Sequence, residues 1–260
     1  MRSRPIGTYV YCLIAARRRP SLTHAPTGLA GLGRVRLLDV EAGRWLAVAD
    51  APAAQYNERE INRRLSDLGW VSRAAVSHEA VVEAFVAATA VLPMKLFTIF
   101  TSDDRALEHV RNDRRRIEAL LQRVSNHHEW GVRVVFNRPP PLVKRGGRRS
   151  GRTRVEAGAD YLRRKKVHRD AAVQLAQQAR RAVAELYARL ARRSRLAKRR
   201  SAGELPIEGG PLLLDAAFLV PTRQTSQFRA LIDRQRKSLE PEGYRVRLSG
   251  PWPPYSFVQD

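Results

Sequence analysis

The chain has 260 residues, of which 43% are hydrophobic and 28% charged, the balance of a folded protein with one large or two smaller domains. Its formal net charge of +23 favours acidic or polyanionic partners. A single cysteine excludes an intramolecular disulfide, and no apolar run is long enough to span a bilayer, so we expect a protein of a reducing cytoplasmic compartment without a membrane partner.

The first part of the chain contains three predicted strands. Residues 8–15 (TYVYCLIA) are rich in aromatic and β-branched side chains, which favours a buried first strand over a signal peptide. Residues 34–40 and 44–50 alternate apolar and polar side chains, with Gly43 in the short connection between them. This arrangement is typical of a hairpin.

Two helices are predicted after the hairpin. Asn57, followed three residues later by Glu60, has the pattern of a helix N-cap, and Gly69 marks the end of that helix. Ser77 is the predicted cap of a second helix over residues 78–90.

A second pattern of strands and helices begins after these elements. Residues 92–100 (LPMKLFTIF) predict a strand, with its proline near the start. Asp103 and Asp104 suit the positive end of a helix dipole and predict a helix start, and the helical spacing of apolar residues continues to Val124. Residues 131–136 predict the next strand.

The end of the chain repeats this order. Residues 212–220 predict a strand, residues 226–239 a helix and residues 244–248 an alternating strand. If the segment before residue 212 is set aside, the order is strand-helix-strand twice, which is the order of a ferredoxin-like sheet.

These elements predict an α+β protein of two domains. The first is an α+β domain at residues 1–90, and the second, at residues 91–260, is a modified ferredoxin-like βαββαβ fold. A long basic helical insertion at residues 137–211 separates its two halves.

The insertion holds most of the positive charge. Residues 138–200 contain 21 lysines and arginines and 4 acidic residues, which leaves a net charge of only +6 for the rest of the chain. Residues 160–199 contain no proline or glycine and predict one long helix, or two helices broken near His168. Its apolar stripe comprises Leu162, Leu175, Ala179, Val183, Leu186 and Leu190. Such a helix either binds a polyanion, an acidic protein or anionic lipid, or is a solvated arm.

No combination of residues in the sequence predicts catalysis, a cofactor or a metal. His127, His128 and Glu129 form the cluster most like a metal site, but neighbouring side chains on a helix point about 100° apart, so we expect a polar helix end. Cys12 lies within a strand and is predicted to be a buried small hydrophobe.

The C-terminal residues 250–257 (GPWPPYSF) combine three prolines with three large aromatic side chains. We expect this segment to close the C-terminal domain as a latch after its last strand, in preference to forming an exposed patch for a partner.

Several motifs, in order along the chain, resemble those of the gas vesicle accessory proteins of the F/L class. They are Tyr9-Val10-Tyr11, His78-Glu79 with Val81-Val82, Val91-Leu92-Pro93-Met94-Lys95, residues 158–165 (GADYLRRK), residues 215–220 (DAAFLV) and residues 250–257. The sequence departs from the family pattern at Cys12 and Phe97, where glycine is usual in the family.

The resemblance implies two α+β domains, a ferredoxin-like C-terminal domain with a variable insertion, and a non-enzymatic role without a cofactor. That role is to help assemble gas vesicles, the hollow protein shells that give cells buoyancy, as an accessory or minor structural protein located at the vesicle. The implied partners are the shell protein and other vesicle proteins. Our candidate partner-binding residues are Tyr161, Arg163, Arg164, Lys165, Lys166, Trp252 and Tyr255. The alternative is a basic RNA-binding module that uses the ferredoxin-like sheet and the basic helix.

Overall fold

The computed structural model describes residues 6–136, 154–200 and 210–258. Contacts between residues divide the chain into two compact units. Unit 1 takes its residues from Met1–Trp130, Leu219–Gln224 and Ser249–Asp260, and unit 2 from Gly131–Phe218 and Thr225–Leu248. Residues 91–130 therefore belong to unit 1. The domain boundary that the sequence predicts after residue 90 stays a prediction.

The fold is mixed α and β with two antiparallel sheets, which confirms the predicted class. The strands of the first sheet are β1 (Ile6–Ala15), β2 (Arg36–Glu41), β3 (Arg44–Pro52), β4 (Ala90–Pro93) and β5 (Ile99–Phe100). Their order is β2-β3-β1-β4, and β5 also pairs with β1. The predicted first strand and hairpin are confirmed, with Gly43 at a φ of 77° in the turn.

Three of the six helices of unit 1, the second to the fourth along the chain, begin at a side-chain cap. They are α1 (Ala53–Tyr56), α2 (Glu58–Arg64), α3 (Leu68–Glu83), α4 (Asp103–Asn112), α5 (Arg114–Val124) and α8 (Tyr255–Val258). The predicted cap at Asn57 is confirmed, because its side chain accepts a hydrogen bond from the backbone N of Glu60 at 2.9 Å. The predicted break at Gly69 and cap at Ser77 are wrong. Asp67 caps α3 by accepting from Trp70 N at 2.9 Å, and α3 then runs through both residues.

The predicted strand at residues 92–100 is interrupted, and it belongs to the first sheet. β4 pairs with residues 12–15 of β1, and β5 pairs with Thr8 and Tyr9 of the same strand. Between them, Phe97 has a φ of 65°, which breaks the extended backbone. The prediction that residues 92–100 form the first strand of a C-terminal sheet is therefore wrong.

The second sheet has the order β7-β8-β6-β9. Its strands are β6 (His127–Phe136), β7 (Leu196–Arg199), β8 (Leu212–Pro221) and β9 (Tyr244–Trp252), and the helices between them are α6 (Arg154–Ala191) and α7 (Thr225–Leu239). His127, His128 and Glu129 thus begin a strand and do not end a helix as predicted. The predicted long helix over residues 160–199 is a single helix, α6, but it ends at Ala191. Residues 196–199, which were predicted to be its last turn, form β7.

The C-terminal half of α6 contributes to the core of unit 2. Four of its six predicted stripe residues, Ala179, Val183, Leu186 and Leu190, are buried. Leu175 is half-buried, and the side chain of Leu162 lies outside the described residues. The Tyr187 ring lies 5.6 Å from the ring of Phe218, which in turn contacts Phe228 of α7. This half of the helix is therefore part of the packed fold and not a solvated arm.

The C-terminal segment is a latch, but it closes unit 1 and not the predicted C-terminal domain. Pro253, Pro254, Phe257 and Val258 are buried, and Tyr255 packs against the apolar cluster around β1. The carboxylate of Glu129, only 2% exposed, accepts hydrogen bonds from the backbone N and Oγ of Ser256, each at 2.7 Å. The prolines restrict the backbone of the segment, and these hydrogen bonds fix it to unit 1.

Asp103 does more than begin α4. Its carboxylate accepts a hydrogen bond from Thr8 Oγ1 at 2.6 Å and forms an ion pair with Arg36 at 2.8 Å. The Arg36 guanidinium, which also contacts Asp50, holds the pKa of Asp103 below its ordinary value. The hydrogen bond links α4 to β1, and the ion pairs of Arg36 link α4 to β2 and β2 to β3.

Leu190→Ala tests whether α6 is part of the core of unit 2. We expect the free energy of unfolding to fall by about 2–5 kcal/mol, because the change leaves a cavity at a fully buried position. Val173→Ala, at a half-exposed position on the same helix, should change it by less than about 0.5 kcal/mol. Chemical denaturation followed by circular dichroism measures both, and equal small effects would contradict the assignment.

Ser256→Ala tests the latch. The variant removes one hydrogen bond to the buried carboxylate of Glu129, so we expect a loss of about 2 kcal/mol in the free energy of unfolding. Ser66→Ala, which removes an exposed hydrogen bond to a backbone carbonyl, is the matched control and should be almost neutral. If the two variants had the same stability in denaturant titrations, the latch would contribute nothing through this bond.

Candidate protein-binding surface

Two half-buried aromatic rings stack on the surface of unit 1. The ring centroids of Trp70, in the first turn of α3, and Phe97, between β4 and β5, lie 4.9 Å apart, and the rings are within 5° of parallel. The guanidinium carbon of Arg64 lies 5.5 Å from the centroid of the Trp70 ring. Stacked aromatic rings with an arginine above them are typical of the centre of a protein interface.

Each ring of this stack lines a cavity. One, of about 360 Å³, is lined by Leu29, Trp70 and Val76 among others. The second, of about 580 Å³, is lined by Ile61, Phe97 and Phe100 among others. Tyr56 lines both cavities. We call the stacked pair and the apolar residues that line the two cavities the aromatic surface.

Large apolar side chains are also exposed on the same helices. Leu65, after α2, is 46% exposed, and Leu68 and Val76 of α3 are 80% and 63% exposed. Val76 lines the smaller cavity, whereas Leu65 and Leu68 flank the Asp67 cap. Exposed apolar side chains of this kind make the region a candidate interaction surface.

Beneath the aromatic surface lies a buried hydrogen-bonded cluster. The Tyr9 hydroxyl is 2.8 Å from His78 Nδ1 and accepts a hydrogen bond from the backbone N of Phe97 at 3.3 Å. The Tyr11 hydroxyl accepts from Leu29 N at 3.2 Å. Burial raises the pKa of Tyr9, and it raises that of Tyr11 to about 12, so both hydroxyls keep their protons.

Phe97 occupies a backbone conformation that glycine would adopt at lower cost. A φ of 65° is rare for a bulky residue and costs about 1–3 kcal/mol. This explains physically why a glycine at this position suits the family that the sequence resembles. Here the bond to Tyr9 and the stacking on Trp70 hold the strained residue in place.

The buried histidine and cysteine of this unit are both uncharged near pH 7. Burial lowers the pKa of His78 to about 4, and the nearby backbone of Met94 offsets only part of this effect, so the ring is neutral near pH 7. Burial also raises the pKa of the Cys12 thiol, which keeps it protonated and unreactive, and it is buried as predicted. Within the described ranges no group of histidine, cysteine and acidic side chains could hold a metal ion.

The candidate residues from the sequence fall in both units. Arg163, Lys165 and Lys166 are exposed on α6. Tyr161 and Arg164 belong to the same helix, but their side chains lie outside the described part of the structure. Trp252, at the end of β9, is half-buried.

Tyr255 turns its hydroxyl inward. That atom is buried and has no hydrogen-bond partner among the described residues, and burial raises its pKa. Its ring packs on the core of unit 1, so this residue serves the latch. Whether any of the candidates contacts a partner stays a prediction.

Sequence reasoning missed the aromatic surface. The sequence predicts a helix end at Gly69 and a new helix after Ser77, which puts Trp70 in a loop between two helices. The departure from glycine at Phe97 was the one signal in the sequence, but stacking of Phe97 on Trp70 depends on a fold that brings residues far apart in the chain together.

No helix in the described parts of the chain has both the length and the apolar composition to cross a membrane.

Comparison with known proteins identifies close matches over almost the entire chain. The family model for the gas vesicle synthesis protein GvpL/GvpF matches residues 7–259. Gas vesicle protein L of a Streptomyces species is 31% identical, aligned over 96% of this chain and 92% of that protein. Gas vesicle protein L1 of Halobacterium salinarum is 24% identical over 98% of this chain and 91% of its own.

Two crystal structures share the fold. The gas vesicle protein GvpF from Anabaena has a TM-score of 0.67 at 16% identity, covering 98% of this chain and 97% of that one. GvpF from Microcystis aeruginosa has a TM-score of 0.64 at 14% identity, covering 98% and 99%. At these identities the likeness establishes the fold.

His78→Gln tests the neutral state of the buried ring. Unfolding raises the pKa of His78 from about 4 to its ordinary 6.5, so the unfolded chain binds a proton that the folded protein does not. The neutral ring of His78 contributes about 3 kcal/mol to the free energy of unfolding. This contribution is complete above pH 6.5 and is lost as the pH falls toward 4.

Denaturant titrations between these pH values should therefore show a steeper loss of stability in the wild type than in His78→Gln. Carboxylates elsewhere titrate in both proteins, so the difference between the two profiles isolates the histidine. Parallel profiles would contradict a neutral buried ring.

Proposed function

Because the chain belongs to the gas vesicle synthesis protein family GvpL/GvpF, we propose that it is a non-enzymatic accessory or minor structural protein that binds the gas vesicle shell protein during assembly. The family predicted from the sequence motifs is confirmed by this membership. In this role the protein acts at the gas vesicle together with other vesicle proteins. Its task is to bind polypeptides, for which it needs surface and no catalytic group.

The aromatic surface is the observation that carries this proposal. Shell subunits that polymerise into a gas-filled wall expose apolar surface before assembly, and an accessory protein must cover it. The stack of Trp70 and Phe97 provides aromatic anchors, and the cavities beside it accept apolar side chains. The strain stored at Phe97 supports a binding role, since stability alone would favour glycine.

The cationic residues of α6 complement this surface. Arg163, Lys165 and Lys166 are exposed, and with Tyr161 and Arg164 they would steer acidic surfaces of vesicle proteins toward the chain. Trp252 would add a half-buried ring to a contact of unit 1.

A ferredoxin-like arrangement of the second sheet is part of the proposal. The chain order β6-α6-β7-β8-α7-β9 and the sheet order β7-β8-β6-β9 both support it. In this assignment β6 replaces residues 92–100 as the first strand. Helix α6 then connects the first two strands of the sheet, so the predicted insertion at residues 137–211 would include one of the two helices of the motif.

Trp70→Ala and Phe97→Gly test binding at the aromatic surface. Each removes one ring, and glycine at residue 97 also relieves the backbone strain, so that variant should retain its fold. We expect co-purification with the shell protein to fall at least about tenfold for each variant, as for an interface anchor.

The matched control replaces exposed apolar residues elsewhere. Val167→Ser with Val173→Ser, at positions 65% and 51% exposed on α6, should leave co-purification unchanged. If both ring variants melted at the wild-type temperature and still captured the shell protein in full, binding through the aromatic surface would be refuted.

A further inference from the structure

Strand β7 is an edge of the second sheet in the described structure. It pairs with β8 on one side, and no described strand lies on the other. The backbone N of Arg200, just after β7, donates to Asp215 O of β8 at 2.8 Å. The side chain of Asp215 also forms ion pairs with Arg200 and with Arg133 of β6, the latter at 2.9 Å. These contacts fix how β7 is oriented in the sheet.

The orientation determines which backbone groups of β7 face outward. Hydrogen-bonding direction alternates along an antiparallel strand. The backbone N–H of Arg200 points toward β8, so the backbone N–H and C=O groups of Lys198 and Leu196 point the same way. The backbone N–H and C=O groups of Ala197 and Arg199 therefore point toward the open edge. Two outward-facing residues are enough to begin pairing with an added strand.

Cations surround this edge. Arg195, Lys198 and Arg199 are exposed, and Leu196 is an exposed apolar side chain among them. Just before β7, Arg193 lines a cavity of about 260 Å³ with Gln227, Leu231 and Arg234 of unit 2. No acidic side chain is among the lining residues. The two arginines of this cavity thus suit a carboxylate.

We propose that β7 binds an extended acidic segment of another protein as an added strand, with Arg193 and Arg234 receiving one of its carboxylates. Main-chain hydrogen bonds to Ala197 and Arg199 hold the segment, and the surrounding cations select its charge. This site lies in unit 2, has the opposite chemistry to the aromatic surface and goes beyond the proposed shell binding. A protein with both sites would join an apolar partner to an acidic one.

Among the described residues of unit 2, the aromatic side chains favour a protein segment over RNA. The Tyr187 ring lies under the Arg199 guanidinium at 4.6 Å and against Phe218, so its face is occupied. Phe136 and Tyr244 of the sheet pack on each other at 5.1 Å. Single-stranded RNA recognition depends on open aromatic faces, and these rings do not provide them.

Fluorescence anisotropy with a labelled peptide of alternating glutamate and valine tests the site on the full chain. Arg193→Glu with Arg195→Glu should weaken binding at least about tenfold by reversing the charge. Ala197→Pro should weaken it by a similar factor while every charge stays in place, since proline removes an outward N–H and is tolerated at an open edge. Thermal melting checks that each variant is folded.

The controls separate this site from net charge and from the aromatic surface. Arg17→Glu with Arg18→Glu, two exposed arginines of unit 1, and Trp70→Ala should each leave peptide binding unchanged. A peptide with proline in place of valine should bind weakly despite equal charge. The proposal is overturned if the Arg17 and Arg18 variant loses as much affinity, if folded Ala197→Pro binds normally, or if a uridine oligonucleotide binds more tightly than the peptide.

Discussion

The hydroxyl of Tyr9 connects the buried core of unit 1 to the surface at which we propose that partners bind. It contacts His78 on one side and accepts the backbone N–H of Phe97 on the other. Because burial keeps His78 neutral, the cluster carries no charge into the core. The strained conformation of Phe97, and therefore its stacking on Trp70, depends on this buried contact.

The two units bring different chemistry to binding. Unit 1 presents aromatic rings, exposed leucines and apolar cavities, whereas the described part of unit 2 presents cations along α6 and β7. Apolar contacts contribute affinity when water is excluded, and charges contribute speed of association and selectivity. The role that we propose for this member of a gas vesicle family, binding the components of an apolar shell, would use both.

Fold is retained in this family at low sequence identity. The GvpF structures from Anabaena and Microcystis share only 16% and 14% of residues with this chain, yet they match over almost its entire length. In this chain the fold rests on general features: a buried central strand, an alternating hairpin and helices with one apolar face.

The sequence by itself determined the elements whose causes are local. Residues 8–15, the hairpin at Gly43, the cap at Asn57 and the buried stripe of α6 follow from side-chain periodicity and short-range hydrogen bonds. Only the tertiary structure decided which strands share a sheet, where the latch packs and which rings stack. The pairing of residues 92–100 with β1, the closure of unit 1 by the C-terminal segment and the contact of Trp70 with Phe97 join residues distant in the chain. Their free energy depends on the packing of the complete core, which no local pattern records.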